Sequence, residues 1–171
     1  MSWLSRLLPR REDDRAPLRA LWARVVELGR APEWYARCGV ADTIDGRFDV
    51  ITLVLALVLL RMEREEALVQ PSVLLNEIFV EDMEGQLRQR GIGDLVVGKH
   101  VGRLMGALGG RLGALREALP QGEAAVREVV ERNVTLGQGG DPDCVAHRLI
   151  QLWVGIDALP AEDLLAGRLP G

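Results

Sequence analysis

Glycine occupies every fourth position between residues 98 and 110, and this stripe constrains the fold more than any other feature of the chain. The four glycines are Gly98, Gly102, Gly106 and Gly110. Aliphatic residues recur between them with the period of an α-helix. Each glycine inside a helix costs about 1 kcal/mol relative to alanine, so the stripe needs a compensating gain. Because glycine lets backbones approach closely, we expect either another helix of the same fold or a helix of another protein to lie against it.

Length and composition favour one domain with an aliphatic core. The chain has 171 residues, of which 48% are hydrophobic and only 4% aromatic. Its net charge of −4 argues against nucleic acid as the main partner. Cys38 and Cys144 match no metal-ligand spacing, and no signal peptide is recognisable. We therefore expect both cysteines to be reduced cytosolic thiols that pack as small hydrophobic side chains.

The longest apolar run covers residues 50–60 and is interrupted only by Thr52. A membrane-spanning helix needs about 20 apolar residues, so this run predicts a central core helix instead. No segment alternates with period two. The sequence therefore predicts an all-α fold, a single compact helical domain of about six or seven helices over residues 17–171.

Breaker residues set the expected limits of the helices. Gln70 and Pro71 are expected to end the core helix, and a turn is expected at Asp45–Gly46 in the polar loop 39–47. Asp94 is a good N-cap for the glycine-striped helix. The expected helices cover residues 17–29, 32–39, 48–69, 72–89, 94–119, 123–136 and 143–158, and residues 161–166 are expected to make a final turn.

Residues 1–16 are expected to form a separate tail. Its apolar residues would share one face of a short helix: Trp3, Leu4, Leu7 and Leu8. Arg6, Arg10 and Arg11 lie towards the other side. This pattern suits either weak contact with a membrane surface or a disordered tail.

The sequence contains no recognisable catalytic or metal-binding constellation. Neither His100 nor His147 has a carboxylate or cysteine at metal-ligand spacing that would make a site. Gly91 and Gly93 precede a helix, but no strand or nucleotide-binding motif accompanies them, so no cofactor is expected. Lys99 and Arg103 lie one helical turn apart, where they would either contact an acidic partner or lipid head group, or simply face solvent.

An ordered set of short motifs resembles the ubiquinol–cytochrome c chaperone family. The motifs are Trp34-Tyr35, Gly39-Val40, residues 42–48 (Asp-Thr-Ile-Asp-Gly-Arg-Phe), residues 81–83 with Leu87-Arg88, residues 91–94 with Gly98-Lys99, and Gly110-Arg111. The resemblance covers about residues 20–160. It implies a helical protein that assists the assembly of respiratory complex III and binds newly made cytochrome b, in mitochondria together with a small partner protein.

The resemblance and the residues together predict a non-enzymatic assembly factor without metal or cofactor. We expect it in the cytoplasm, or peripherally on the inner face of the cytoplasmic membrane. The alternatives are an all-α protein that binds lipid or another anionic ligand, and an adaptor for a different membrane client. The candidate client-binding residues are Gly102, Gly106, Lys99, Arg103, Asp82, Arg88 and Arg111. The expected structural loop residues are Asp42, Asp45, Arg47, Gly91, Gly93 and Asp94, and the expected membrane contacts are Trp3, Leu4, Leu7 and Leu8.

Overall fold

The computed structural model describes residues 15–89, 91 and 94–171. The helices in these residues are α1 (Ala16–Gly29), α2 (Pro32–Ala36), α3 (Ile44–Met62), α4 (Val69–Gln89), α5 (Asp94–Ala118), α6 (Glu123–Asn133), α7 (Pro142–Asp157) and α8 (Ala161–Leu165). The only extended pairing in the described ranges is an isolated antiparallel bridge between Val40 and Leu136. The predicted all-α fold is therefore confirmed, with α2 and α8 as short helices of 5 residues each.

Helix α3 forms the centre of the core. Every residue from Val50 to Leu60 is buried, as the apolar run predicts. A helix that is apolar on all sides needs neighbours on all sides, and α1, α4, α5 and α7 supply them. Thr52 is the polar interruption, and its hydroxyl donates a hydrogen bond to the carbonyl oxygen of Phe48 at 2.9 Å. The buried hydroxyl is thus satisfied within its own helix.

The core helix begins earlier than the sequence predicts. A turn was expected at Asp45–Gly46, but both residues lie in the first turn of α3. The side chain of Thr43 caps this turn by accepting a hydrogen bond from the Gly46 backbone N–H at 3.2 Å. A Cβ at residue 46 would overlap the carbonyl oxygen of Ala41. Glycine therefore marks a close approach of two backbone segments here, and the predicted turn is wrong.

The core helix also ends earlier than predicted. It stops at Met62, and a 3-10 turn over Glu66–Leu68 leads into α4. Pro71 was expected to terminate a helix but lies in the first turn of α4. Proline fits there because the first backbone N–H groups of a helix have no partner within the helix.

The chain after α6 pairs with the chain before α3. The sequence predicts a helix to residue 136, but α6 ends at Asn133. The backbone N–H of Ala41 donates to the Thr135 carbonyl oxygen at 2.9 Å, and that of Gly137 donates to the Gly39 carbonyl oxygen at 2.8 Å. These long-range bonds replace the last helical turn and join the two loops over the end of the core.

Helices α4 and α5 are the two longest helices and form an antiparallel pair. Gly91, with a φ of 77°, follows α4, and its N–H donates to the Arg88 carbonyl oxygen at 2.9 Å. Gly93 and the tail residues Trp3, Leu4, Leu7 and Leu8 lie outside the described residues. Within the described ranges, no helix combines the length and the apolarity needed to cross a bilayer.

Candidate functional site

An open apolar groove lies between α4 and α5. Its volume is about 620 Å³, and it is lined by six apolar side chains: Leu59, Val73, Val80, Met105, Leu108 and Leu112. Leu59 and Leu108 are almost fully buried, whereas Val73 is 47% exposed. Val69, one turn before Val73 on α4, is 55% exposed. This α4–α5 groove therefore presents aliphatic surface to solvent along two helices.

Charged side chains border one side of the α4–α5 groove. Arg15 forms ion pairs with Glu77 and with Glu81, and the Arg15 Nη1–Glu81 Oε1 distance is 2.5 Å. Glu77 and Glu81 lie one turn apart on α4, so a single guanidinium reaches both carboxylates. All three residues line the groove. The start of the described chain is thus held at the groove rim.

The glycine stripe forms the outer side of α5. We call it the glycine face, and it consists of Gly98, Gly102, Gly106, Gly109, Gly110 and Gly113. A Cβ built on any of these glycines would meet no atom of the described residues within 4 Å, apart from the nearby backbone of α5 itself. Among the described residues, no other helix packs against the stripe, contrary to the alternative of an internal neighbour. Gly109 also lines the α4–α5 groove, so the glycine face continues the groove surface.

Cationic side chains lie beside the glycine face on α5. Lys99 and Arg103 are exposed and make no ion pair with the described residues. His100 is partly buried and lines a different pocket. Lys99 and Arg103 are thus available to an anionic group on a bound molecule.

That second pocket has a volume of about 400 Å³ and lies among α1, α3, α4 and α5. It contains Asp45, Arg47 and Asp82 from the predicted sets. The Asp82 carboxylate accepts a hydrogen bond from Nε1 of Trp22 at 3.1 Å. Asp82 therefore joins α4 to α1, and Arg88 forms an exposed ion pair with Glu84 at 3.0 Å on α4.

The predicted structural loop pairs locally. Nε of Arg47 donates to the Asp42 carboxylate at 2.6 Å. This hydrogen bond lowers the pKa of Asp42 from its ordinary value, although both side chains are exposed. Asp45 lies in the exposed first turn of α3, where a carboxylate interacts favourably with the helix dipole. Asp94 is the first residue of α5.

Arg111 is buried and does not reach the groove surface. Its Nη2 lies 2.5 Å from Oδ1 of Asp49, and both side chains are less than 10% exposed. The same Nη2 donates to the Asn133 carbonyl oxygen at 2.9 Å. The Phe48 ring lies 5.4 Å from the guanidinium. Burial lowers the pKa of Arg111, and the charge of Asp49 opposes that effect. Arg111 therefore belongs to the core and not to a client-binding surface.

Asp49 extends this pair into a network that the sequence analysis did not identify. Its Oδ2 accepts hydrogen bonds from the Thr135 backbone N–H at 2.8 Å and from the Thr135 hydroxyl at 2.7 Å. The network connects α3 and α5 with the loop after α6. An aspartate next to a long apolar run was the available sequence signal, because a charge at such a position requires a partner.

The two cysteines form a disulfide bond, contrary to the expectation of reduced thiols. Cys38 and Cys144 have a Cα–Cα distance of 5.2 Å and are separated by 106 residues in the sequence. The Asp141 N–H donates to the Cys38 carbonyl oxygen beside this bond. The disulfide therefore joins the loop before α3 to the start of α7.

The described residues include no group of three or more His, Cys, Asp or Glu side chains that could hold a metal ion. His147 is exposed, lies 3.3 Å from a Glu123 carboxylate oxygen and contacts no pocket described above. The chemistry that this surface supports is apolar contact, close backbone approach and charge pairing.

Comparison with known proteins shows the family to which the chain belongs. Residues 36–169 match the family described as "Ubiquinol-cytochrome C chaperone". The chain belongs to the ubiquinol–cytochrome c chaperone family. Among solved structures, the Cbp3 homolog from Brucella abortus superposes with a TM-score of 0.77 at 27% identity, over 91% of this chain and 88% of that chain. No curated protein matches the chain.

The match to the ubiquinol–cytochrome c chaperone family includes both helices of the α4–α5 groove and the whole glycine face. It also includes Asp49, Arg111 and both cysteines. The resemblance stated from the sequence motifs is therefore confirmed. Membership supports a role as a chaperone for the assembly of complex III.

Proposed function

We propose that this chain is a non-enzymatic assembly factor that binds an apolar helical segment of newly made cytochrome b in the α4–α5 groove. The observation that carries the proposal is the exposed aliphatic lining of that groove beside an open glycine face. A chaperone for a membrane protein must cover apolar segments before they enter the bilayer. It needs a matching surface and no reacting group.

The groove has the shape and chemistry for an apolar helix. Amphipathic and apolar helices dock into hydrophobic grooves through side chains spaced three and four residues apart. Full burial of an aliphatic side chain contributes about 1.5–3 kcal/mol, so the half-exposed Val69 and Val73 leave part of that gain to a partner. The client would thus be stabilised by removing exposed aliphatic surface on both molecules from water.

The glycine face would allow a client helix to approach the backbone of α5 closely. Gly102 and Gly106 leave the backbone of α5 uncovered, and a client helix with small residues could lie directly against it. The glycines lower the intrinsic stability of α5 by about 1 kcal/mol each relative to alanine. We propose that docking of a client backbone is the gain that offsets this cost.

Lys99 and Arg103 would orient the client. Exposed charges at the edge of an interface affect association rate and specificity more than affinity. We therefore expect them to make client binding dependent on salt. Asp82 and Arg88 lie further along α4 and would contact the client only where it extends beyond the groove.

We further propose that the chaperone works peripherally at the inner face of the cytoplasmic membrane, where cytochrome b is inserted, and that a second small chaperone subunit assists it. The tail residues Trp3, Leu4, Leu7 and Leu8, together with neighbouring arginines, have the composition of a weak membrane contact.

The test is capture of cytochrome b from detergent extract by two matched variants. Val73→Asp places a charge in the groove, whereas Val154→Asp places one at a valine on α7 that is 63% exposed and outside the groove. Both variants should melt like the parent protein, because both valines are exposed. We expect only Val73→Asp to lose capture, by at least tenfold.

Equal capture by both variants would exclude the α4–α5 groove as the client site. Capture of other membrane proteins in place of cytochrome b would favour the adaptor alternative. Co-purified lipid that depends on Lys99 and Arg103, without any protein client, would favour the alternative of an anionic-ligand-binding protein.

A further inference from the structure

The two cysteines of the disulfide differ in their access to solvent. Cys38 is fully buried, whereas Cys144 lies in the first turn of α7 and is partly exposed. Exchange of a disulfide with a dissolved thiol requires access to one of its sulfur atoms. A thiol from solvent therefore approaches the bond from the side of Cys144, without any opening of the core.

Beside the disulfide, two loops lie against each other. We call them the loop pair, and they consist of residues 37–43 before α3 and residues 134–141 after α6. A Cβ on Gly39, whose φ is 71°, would lie 2.6 Å from the Cα atom of Gly140. The N–H of Asp141 donates to the carbonyl oxygen of the buried cysteine at 2.9 Å. Backbone hydrogen bonds between surface loops open more readily than those inside a core, so the disulfide is the covalent clasp of the loop pair.

A continuous set of contacts leads from the loop pair to the α4–α5 groove. Thr135, in the second loop, donates two hydrogen bonds to one carboxylate oxygen of Asp49. The other carboxylate oxygen of Asp49 lies 2.5 Å from Nη2 of Arg111 on α5. The next residue of α5, Leu112, lines the groove. The loop pair thus helps to hold one wall of the groove in place.

The proposed location at the inner face of the cytoplasmic membrane gives this bond a function. Thiols there are kept reduced by glutathione and thioredoxin, and disulfides in such a compartment are mostly catalytic or redox-sensing. We propose that the bond between Cys38 and Cys144 is a reversible redox switch that a small thiol such as glutathione opens in the folded protein. The reversible bond follows from the geometry of the cysteines, whereas its effect on client binding rests on the proposed function.

Opening proceeds by two thiol–disulfide exchanges. The thiolate of one glutathione attacks Sγ of Cys144, the bond between the two cysteines breaks, and Cys38 leaves as a thiolate that takes up a proton. A second glutathione thiolate attacks the glutathione sulfur of the mixed disulfide, which releases Cys144 and forms glutathione disulfide. Two electrons and two protons thus pass from two glutathione molecules to the protein, and the reverse sequence closes the bond.

The open form holds α5 less firmly. Without the clasp, the backbone hydrogen bonds of the loop pair break more often, and Thr135 leaves the Asp49 carboxylate more often. Arg111 then has a less fixed partner, and so has the groove wall that follows it. A groove that must be ordered on binding captures its client more weakly than one that is already ordered.

The first test compares the two single cysteine variants. Cys38→Ser leaves the partly exposed Cys144, and Cys144→Ser leaves the buried Cys38. Both folded proteins are treated with glutathione disulfide, and the mixed disulfide is followed by intact-protein mass spectrometry. We expect Cys144 to react at least tenfold faster than Cys38, and the two rates to become similar in urea. Equal rates in the folded proteins, or a faster reaction of Cys38, would overturn attack at Cys144.

The second test uses the unaltered full chain in reduced and oxidised glutathione, without client. Excess reduced glutathione should open the bond in the folded protein, and glutathione disulfide should close it again. A bond that opens only in urea would overturn the switch. Amide hydrogen exchange at Ala41 and Gly137 should be several-fold faster in the reduced protein, while exchange at Leu55 in the core stays unchanged. Equal exchange at Ala41 and Gly137 in both states would overturn the clasp.

The third test connects the switch to the client. The reduced protein should capture cytochrome b several-fold less than the oxidised protein. The double variant Cys38→Ser with Cys144→Ser is the control, and its capture should be the same in both glutathione buffers. Equal capture by the two forms of the unaltered protein would overturn the coupling to the groove. Because the first two tests contain no client, their failure leaves the proposed function intact, whereas capture by neither form would reject the proposed function itself.

Discussion

The buried pair of Asp49 and Arg111 allows a quantitative test of how α3 and α5 are held together. Arg111→Met keeps the length and apolar stem of the side chain but removes its charge. Asp49 would then be left 6% exposed without its cation. Breaking a buried ion pair by removal of one partner costs about 3–5 kcal/mol. The two hydrogen bonds from Thr135 to Asp49 remain, so we expect the lower end of this range.

The assay is urea unfolding followed by circular dichroism, together with thermal melting. In a domain of this size, 1 kcal/mol corresponds to about 2–4 °C in the melting temperature. Arg111→Met should therefore lower the melting temperature by roughly 6–12 °C. The urea midpoint should fall while the slope of the unfolding free energy with urea stays unchanged.

The control is the same substitution on the same helix at a surface pair. Arg116 pairs with Glu63 at 2.7 Å, and their side chains are 50% and 45% exposed. An exposed pair of this kind contributes at most about 1 kcal/mol, so Arg116→Met should have little effect. If Arg111→Met destabilises the protein no more than Arg116→Met does, the reasoning about the buried pair is refuted.

A double variant separates the charge from the packing. Asp49→Leu combined with Arg111→Met leaves no uncompensated buried charge, and apolar replacement of a buried ion pair is often neutral. The Thr135 N–H and hydroxyl lose their acceptor, which costs about 1–3 kcal/mol. We expect the double variant to be no less stable than Arg111→Met. A loss equal to the sum of both single losses would show that the two side chains do not interact.

Three further predictions concern other parts of the structure. Gly106→Ala should raise the unfolding free energy by up to about 1 kcal/mol, because no neighbour restricts a Cβ there. Gly46→Ala should lower the unfolding free energy, because a Cβ there would overlap Ala41. A urea titration that finds the reverse would contradict the open glycine face. Tyr35 is the single tyrosine of the chain, and burial raises its pKa above its ordinary value of 10.0. Its neutral form therefore stabilises the fold up to about pH 10 and this contribution is lost at higher pH, so the tyrosinate absorbance of the folded protein should rise later than that in urea. Replacement of Cys38 and Cys144 by serine should lower stability by up to about 4–5 kcal/mol, because their disulfide closes a long loop; equal melting of the serine variant and the oxidised protein would show that the bond contributes nothing.

Local patterns in the sequence were sufficient for the fold class and the family. The helical period of apolar residues, the apolar run from Val50 to Leu60 and the order of the short motifs can all be recognised from the sequence alone. The limits of α3 were predicted less well. Whether Gly46 bends the chain or begins a helix depends on the cap from Thr43 and on contact with Ala41. The intrinsic helix propensity of glycine includes neither interaction.

Only the tertiary structure decided which residues form the candidate site. The glycine stripe is equally compatible with an internal neighbour and with an open face, and the choice depends on where the other helices lie. Arg111 was grouped with the client-binding residues because nothing near it in the sequence indicates Asp49 as its partner. In the same way, nothing near Cys38 in the sequence indicates that Cys144 is its partner. The sequence determines helices through interactions between near neighbours, whereas exposure and pairing arise from contacts between residues that are far apart in the chain and meet only when the helices pack.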